Sequence, residues 1–276
     1  MIQFDHVSKT FPDCTRAVDD FSLTIPSRTT TVFVGSSGCG KTTILRMINR
    51  MVDPTAGTIH IDDDDISTLN PVTLRRRIGY VMQNSGLLPH RTVIDNVATV
   101  PMLTGVKKRE AHAAALDLLD TVGLDRSLAD RYPAQLSGGQ QQRVGVARGL
   151  AIDPNILLMD EPFGAVDPIV RRELQQELVR IQSKLAKTIV FVTHDIDEAF
   201  LLGDMIVILR PGGHIVQAGT AEEIISAPAD DFVADFVGAY DGKRDLTVRE
   251  RNGQRVAVDP TGRIAGVLRP EDATPA

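Results

Sequence analysis

The chain has 276 residues, 42% of them hydrophobic, and a formal net charge of −6 at pH 7. The length predicts one large α/β domain with room for a small appendage, and the negative charge argues against nucleic acid, which favours a basic protein face. No run approaches the ~20 apolar residues of a membrane-spanning helix, the first residues lack a signal-peptide pattern, and the two cysteines make no disulfide framework, so we expect a protein of the reducing cytosol.

The first quarter of the chain predicts an antiparallel edge sheet, followed by a strand, a tight loop and a helix. Residues 2–8 and 21–25 have the short patterned runs of antiparallel strands. Residues 29–35 (TTTVFVG) are mostly β-branched or apolar, which predicts a strand. After a glycine-rich loop, residues 41–50 (KTTILRMINR) have helical character. Residues 57–62 (GTIHID) predict one more strand.

Residues from about 84 to 151 predict a helical subdomain inserted between strands of the main sheet. They are rich in Ala and Leu at helical spacing. The run NILLMD at 155–160 is nearly all apolar, which suits a parallel strand covered on both faces.

The segments after residue 160 predict a long helix and further strands. Residues 188–193 and 204–210 are apolar and β-branched, and Pro211-Gly212-Gly213 predicts a hairpin turn. The 170–187 segment predicts an amphipathic helix whose apolar stripe consists of Val170, Leu174, Leu178, Ile181 and Leu185. After about Tyr240 the pattern changes, and alternation around Asn252-Gly253 predicts a β-hairpin.

A glycine-rich loop between the predicted strand 29–35 and the helix after it has the pattern G-x-x-x-x-G-K-[ST] of a phosphate-binding loop. Its backbone N–H groups and the helix N-terminus would hold phosphate oxygens, Lys41 would contact the β- and γ-phosphates, and the Thr42 hydroxyl would bind Mg²⁺. A chance glycine loop is the alternative, and the flanking strand and helix argue against it. The predicted nucleotide-binding residues are Gly35, Ser36, Ser37, Gly38, Cys39, Gly40, Lys41, Thr42 and Thr43.

Two carboxylates, Asp160 and Glu161, follow the apolar run ILLM directly. Ligands bind at the carboxyl ends of strands in open α/β sheets. Asp160 would hold Mg²⁺, directly or through water, and Glu161 would orient or deprotonate the attacking water. The alternative is a pair of surface carboxylates after a core strand, which becomes weaker once a phosphate loop is present.

The segment LSGGQQQR at 136–143 resembles the signature motif of ABC ATPases. Other matches follow in the order of that family, so the resemblance covers residues 1 to about 240. It implies an α/β P-loop NTPase fold of the ABC ATPase type, with an antiparallel β edge subdomain, an inserted α-helical subdomain and a short C-terminal β-rich tail. The matching residues are Phe11 for adenine stacking, Gln83 of the Q-loop, Ala165-Val166-Asp167 of the D-loop and His194 of the switch.

The resemblance also implies a homodimer with two ATP molecules between its subunits. Lys41, Thr42, Gln83, Asp160, Glu161 and His194 would act on one nucleotide, with Gln83 as a further ligand of Mg²⁺. The signature lies too far from the phosphate loop of its own chain to serve the same nucleotide, so a second copy supplies it. The residues that would contact the partner's nucleotide are Ser137, Gly138, Gly139 and Gln140, and the resemblance adds Asp167 to them.

Within the ABC family, the chain resembles the ATPase subunits of bacterial importers. It has one ATPase unit, and it lacks the second unit of soluble translation factors and the coiled coil of DNA-repair members. Residues 78–101 and 219–238 are similar to osmoprotectant importers, which take up glycine betaine, choline, carnitine and proline betaine. This similarity implies integral membrane permease subunits as partners, an extracytoplasmic solute-binding protein as an indirect partner, and a place at the cytoplasmic face of the membrane.

Three points stay open at this level. The solute could be another compound, such as an amino acid or a sulfonate, or the ATPase could signal or remodel as cell-division members do. Many osmoprotectant relatives carry two CBS modules after the ATPase domain, but only 36 residues follow Tyr240 here. We therefore expect an ABC ATPase domain at 1–240 and a short β appendage at 241–276, with a remnant of one CBS module as the alternative.

Overall fold

The structure is a computed structural model, and the chain divides into two compact units, Met1–Ala221 and Glu222–Ala276. The boundary predicted after residue 240 and the predicted turn at Asn252-Gly253 lie outside the described residues, as does Ala165 of the predicted D-loop. The residues described by the structure are 1–164, 166–238, 246–251, 254–259 and 263–267.

Strands and helices alternate along most of the chain. The strands are β1 Ile2–Thr10, β2 Arg16–Ile25, β3 Thr30–Gly35, β4 Ala56–Ile61, β5 Asp64–Asp65, β6 Ile78–Val81, β7 Ile156–Asp160, β8 Thr188–Thr193, β9 Met205–Arg210, β10 His214–Gly219, β11 Thr247–Arg251, β12 Gln254–Val258 and β13 Ile264–Val267. The α-helices are α1 Lys41–Ile48, α2 Pro71–Arg75, α3 Val93–Val97, α4 Thr99–Leu103, α5 Lys108–Thr121, α6 Gly138–Leu150, α7 Pro168–Leu185, α8 Ile196–Leu202, α9 Ala221–Ser226 and α10 Asp231–Val237.

The central sheet has the strand order β10-β9-β3-β8-β7-β6. All neighbouring pairs from β9 to β6 are parallel, and only β10 runs antiparallel to β9. Strands β3, β7 and β8 are buried along their whole length, as expected for parallel strands covered on both faces. Since these strands are parallel, the loops that follow them meet at one edge of the sheet, where ligands bind in such folds.

The second sheet is antiparallel, with the order β2-β1-β4-β5, and it corresponds to the predicted edge sheet. Three buried aromatic rings join it to the central sheet. Phe4 lies edge-on to Phe21 at 5.0 Å, and Phe21 lies edge-on to Phe33 of β3 at 6.0 Å between ring centroids. Such edge-to-face pairs stabilise the contact by about 1 kcal/mol each beyond the buried area.

Helices α3 to α6 occupy the chain between β6 and β7, within the segment predicted to be helical. The fully buried side chain of Asn96 holds together the residues that lead into α3, the first helix of this segment. Its amide donates to the carbonyls of Leu88, Arg91 and Thr92, and its Oδ1 accepts from the Leu88 N–H. In the part of the chain that the structure describes, no helix is long and apolar enough to cross a membrane.

Two details differ from the sequence-based expectation. Strand β6 was not predicted, because it has four residues and contains Gly79, so it gives no periodic signal. In helix α7, Leu174, Leu178 and Ile181 are buried but Leu185 is exposed, because the helix packs on α6 and α8 and its last turn ends at Ala186 in a left-handed conformation.

The second unit contains α10 and a small antiparallel sheet in the order β11-β12-β13. Val256 and Val258 of β12 are buried, and the rings of Phe232 and Phe236 stack at 5.8 Å.

Candidate active site

The phosphate loop connects β3 to α1 at the carboxyl edge of the central sheet. Gly38 and Gly40 have φ angles of 79° and 108°, a region that favours glycine. A Cβ at Gly40 would also lie 2.5 Å from the carbonyl oxygen of Ala17. These two constraints explain why the loop needs glycine there, and the helix begins at Lys41 as predicted.

The Lys41 ammonium group lies inside this loop. It donates to the carbonyl oxygens of Gly35 at 2.7 Å and Ser36 at 2.9 Å, and only 4% of the residue is exposed. Cys39 is fully buried, with its sulfur 3.7 Å from Lys41 Nζ. A cavity of about 170 Å³ opens beside the loop, and it is lined by Ala17, Ser37, Gly38, Gly40, Lys41, Thr42, Thr43 and Glu161.

Asp160, the last residue of β7, receives three contacts from two elements, α1 and β6. The Thr42 hydroxyl of α1 donates to Oδ1 at 2.7 Å, and the Tyr80 hydroxyl of β6 donates to Oδ2 at 3.1 Å. The Arg46 guanidinium of α1 lies 3.5 Å from Oδ2. Burial, together with the nearby Asp160 carboxylate, raises the pKa of Tyr80 to about 12, so the phenol keeps its proton and acts as a donor.

Glu161 and His194 follow adjacent strands, β7 and β8, and their side chains meet at 3.2 Å between Oε2 and Nδ1. Glu161 has a φ of 43°, which is uncommon for a residue with a side chain, and its N–H donates to the carbonyl of Val192. Gln83 lies beside the same turn, since a Cβ added at Gly164 would be 3.3 Å from Gln83 Nε2 and 3.8 Å from Glu161 Oε2.

The signature residues form a separate site at the N-terminus of α6. Ser137 caps this helix by accepting from the Gln140 N–H, and the Gln140 side chain accepts from the Ser137 N–H. Among the described residues, none of this segment lines the cavity beside the phosphate loop. Asp167 caps α7 by accepting from the N–H of Ile169.

Phe11 follows β1, and the ammonium group of Lys9 lies over its ring. The Lys9 ammonium group is 5.3 Å from the centroid of the Phe11 ring and also donates to the carbonyl oxygen of Asp53. A cation at this distance is attracted by the π electrons of the ring.

Sequence patterns did not point to several residues that hold this edge of the sheet together. Tyr80 and Arg46 contact Asp160, as described above. On α6, Arg148 donates to the carbonyls of Ser85 and Gly86. Gln142, which lies in the LSGGQQQR segment but had no role assigned from the sequence, donates to the carbonyl of Met82. These two side chains fix the segments on both sides of Gln83. Burial lowers the pKa of Arg148.

The residues at the edge fit a hard divalent cation such as Mg²⁺. The Thr42 hydroxyl and the Asp160 carboxylate are oxygen ligands, and they lie 2.7 Å apart beside the phosphate loop. Within the described ranges, no group of three or more His, Cys, Asp or Glu residues forms a site of its own. A cation here would therefore depend on phosphate oxygens and water for its other ligands, as Mg²⁺ commonly does.

A phosphate loop, a strand-end Asp–Glu pair and a histidine that follows the neighbouring strand are typical of P-loop nucleotide-binding proteins. Residues 18–164 match the model of the ABC transporter family. The chain belongs to the ABC transporter family.

Curated relatives from several bacteria are identical to this chain at about half of the aligned positions. It is 49% identical over 250 residues to the carnitine transport ATP-binding protein OpuCA of Listeria monocytogenes, covering 90% of this chain and 63% of the relative. It is 50% identical to the choline transport ATP-binding protein OpuBA of Bacillus subtilis (86% and 62% covered), and 48% identical to the glycine betaine uptake ATP-binding protein YehX of Escherichia coli (90% and 80% covered). The chain thus spans less than two thirds of the length of the first two.

Solved structures with the same fold include a dimeric bacterial ABC transporter cassette. It is 34% identical, has a TM-score of 0.72, and the match covers 80% of this chain and 98% of that one. A component of the ABC transporter complex cbiONQ of Clostridium perfringens is 27% identical with a TM-score of 0.75, covering 83% and 91%. The predicted fold class and family are therefore confirmed.

Proposed function

We propose that this chain hydrolyses ATP with Mg²⁺ at the edge of its central sheet. The observation that carries the proposal is the convergence of two contacts from distant parts of the sequence. Thr42 meets Asp160 at 2.7 Å, and Glu161 meets His194 at 3.2 Å, both beside the phosphate loop. The first contact suits a metal ion and the second suits activation of water.

Each residue has a distinct task in the proposed reaction. The loop N–H groups and Lys41 bind the phosphates, and a phosphate oxygen would offer the Lys41 ammonium group an anionic partner in place of the loop carbonyls. Thr42, Asp160 and Gln83 would hold Mg²⁺, which would neutralise charge on the β- and γ-phosphates.

Glu161 would take a proton from the attacking water at a carboxylate oxygen, with His194 holding that carboxylate through Nδ1. The oxygen of the deprotonated water would then attack the γ-phosphorus, and the bond between this phosphorus and the oxygen that bridges it to the β-phosphate would break. ADP would leave with that bridging oxygen and the bonding electrons, and inorganic phosphate would be the other product. Phe11 would stack on the adenine ring with the face turned away from Lys9.

The signature residues would act on the nucleotide of a second copy of the chain. Ser137 and Gly138 are exposed at the N-terminus of a 13-residue helix, where backbone N–H groups attract anions. Gly139, Gln140 and Asp167 belong to the same proposed surface. One solved relative with this fold is described as a dimer, and a second structure of that same protein is described as a dimeric post-hydrolysis state bound to ADP and phosphate.

The substitution Glu161→Gln tests the proposed base. It keeps the shape of the side chain but removes its basicity, so ATP should bind and hydrolysis should fall by about 10²–10⁴-fold. ATP binding, the oligomeric state with ATP, and phosphate release are measured on the full chain. Glu110→Gln, at an exposed position of α5, is the matched control. Normal turnover of Glu161→Gln would contradict the assignment.

We further infer that the ATPase energises import of a quaternary-amine osmoprotectant. The names of relatives at 48–50% identity support this, since they transport carnitine, choline and glycine betaine. The chain would then bind integral membrane permease subunits at the cytoplasmic face of the membrane and serve an extracytoplasmic solute-binding protein indirectly. We propose no nucleic-acid partner.

Co-purification from membranes followed by uptake of labelled glycine betaine, choline and carnitine tests the transport role. Uptake should require intact Glu161 in this chain. Transport of none of the three, with permease subunits attached, would favour another solute such as an amino acid. Absence of any multi-span membrane partner would favour a signalling or remodelling ATPase.

A further inference from the structure

The two oxygens of the Asp160 carboxylate have different partners. Oδ1 accepts from the Thr42 hydroxyl at 2.7 Å, on the side of the phosphate loop. Oδ2 accepts from the Tyr80 hydroxyl at 3.1 Å, on the side of β6. The carboxylate therefore cannot rotate about its own axis without breaking both contacts.

Tyr80 is well placed to fix this orientation. It lies on β6, which pairs with β7 in parallel, so the two strands carry Tyr80 and Asp160 to the same edge of the sheet. The ring of Tyr80 is half-buried, whereas 48% of the Arg46 side chain is exposed. The Arg46 guanidinium is also farther from Oδ2, at 3.5 Å. Of the two contacts on Oδ2, the tyrosine hydroxyl is thus the shorter and the less solvated.

We propose that Tyr80 is a positioning residue for metal–nucleotide binding: its hydroxyl holds Oδ2 of Asp160 so that Oδ1 stays beside the Thr42 hydroxyl. This inference rests on the proposed ATPase function, and it adds a residue that the motifs of the phosphate loop and of the strand end do not contain. Groups that orient a carboxylate ligand typically change metal affinity by about tenfold or more when removed.

The substitution Tyr80→Phe removes the hydroxyl and keeps the packing of the ring. Two measurements are made on the full chain. The first is the Mg²⁺ concentration that half-saturates hydrolysis at saturating ATP. The second is Mn²⁺ affinity in the presence of ATP, read from the electron paramagnetic resonance signal of free Mn²⁺ in a Glu161→Gln background. We expect about tenfold weaker metal binding in both, with kcat at saturating metal within about twofold of the parent.

Controls separate positioning from general damage. Tyr132→Phe removes a phenol hydroxyl from an exposed tyrosine and should leave both metal curves unchanged. Thr42→Ala removes the other partner of Asp160 and should weaken metal binding at least as much. Tyr80→Met is smaller than tyrosine but also lacks a donor, so its metal binding should weaken as in Tyr80→Phe. Thermal unfolding without metal checks that each variant is folded.

The outcomes separate this inference from the proposed function. If Thr42→Ala weakens Mn²⁺ binding but folded Tyr80→Phe and Tyr80→Met match the parent, the role of Tyr80 is refuted and the ATPase proposal stands. A lower kcat with unchanged metal affinity in the tyrosine variants refutes it too. If the parent chain shows neither ATP-dependent Mn²⁺ binding nor hydrolysis, both proposals fail.

Discussion

The phosphate-loop edge and the signature segment of one chain are predicted to bind the two different nucleotides of the proposed dimer, and they are built differently. At the phosphate-loop edge, contacts join residues far apart in sequence, such as Thr42 to Asp160 and Tyr80 to Asp160. At the exposed start of the signature, the polar contacts are local, since Ser137 and Gln140 cap one helix by bonding each other. The first region is a site assembled by the sheet, and the second is one helix end.

This difference shows which region depends on the fold and which depends on a partner. A site built from several strands is complete only when the central sheet has formed. A helix end forms locally but leaves its outward face open, and a Cβ added at Gly138 meets no atom within 4 Å. The comparison therefore predicts that substitutions on the open face of the signature disturb the dimer and spare the fold.

Among substitutions in the signature segment, the largest effect is expected from Gly138→Asp. Inside the chain the new side chain has space, and an acidic residue in the first turn of α6 is favoured by the helix dipole. Across a dimer it would place a carboxylate against the triphosphate of the partner. ATP hydrolysis should fall by about 10²-fold or more, because like charges repel strongly in a desolvated site, while the unfolding midpoint stays near that of the parent.

Mixing two inactive variants tests whether the signature acts on the partner's nucleotide. A mixed dimer of Gly138→Asp and Lys41→Ala has one site with both defects and one site with none. Hydrolysis should therefore return to a fraction of the parent rate on mixing. If the signature served its own chain, both sites of every dimer would be defective, and the mixture would stay inactive.

A smaller effect is expected where the signature helix touches its own chain. Gly139 is buried, and a Cβ there would come within 2.4 Å of Cγ1 of Val170 on α7. Gly138→Ala should gain helix propensity, whereas Gly139→Ala must displace Val170. We expect Gly138→Ala to be more stable than Gly139→Ala by about 1–3 kcal/mol in chemical denaturation. Equal stabilities would show that α6 and α7 yield at this contact.

Much of the phosphate-loop edge could be predicted from sequence because its motifs carry their own structural context. The apolar run before Gly35 predicted β3, and the helix was predicted to begin near Lys41, where α1 begins. The run ILLM predicted β7 and placed Asp160 at its end. In each case a continuous apolar strand and a fixed residue spacing were enough, since parallel strands must end at a common edge.

The residues that support the edge could not be predicted in the same way. Tyr80 lies on a four-residue strand without a periodic pattern, and its partner is 80 positions away. Arg148 reaches the loop after Gln83 across 62 to 63 positions. Such contacts depend on which strands and helices become neighbours, and a single residue type at one position does not specify that.

The smallest effect is expected for Glu198, a buried carboxylate of α8, and it concerns the pH dependence of stability. Gln175 Nε2 donates to Glu198 Oε1 at 2.9 Å, and burial raises the pKa of Glu198 above its ordinary value. Because the folded-state pKa is the higher one, the stability that this group contributes is full below its unfolded pKa and is lost as the pH rises through the folded-state pKa.

Glu198→Gln should remove that loss and keep an acceptor for Gln175. The free energy of unfolding, measured by denaturant titration from about pH 4 to about pH 8, should therefore fall less with rising pH in the variant than in the parent. Glu110→Gln, an exposed position, should leave the parent's pH dependence unchanged. If Glu198→Gln follows the parent curve at every pH, the carboxylate is ionised at no cost to the fold, and Thr193, Gln175 and Arg171 together offset its burial.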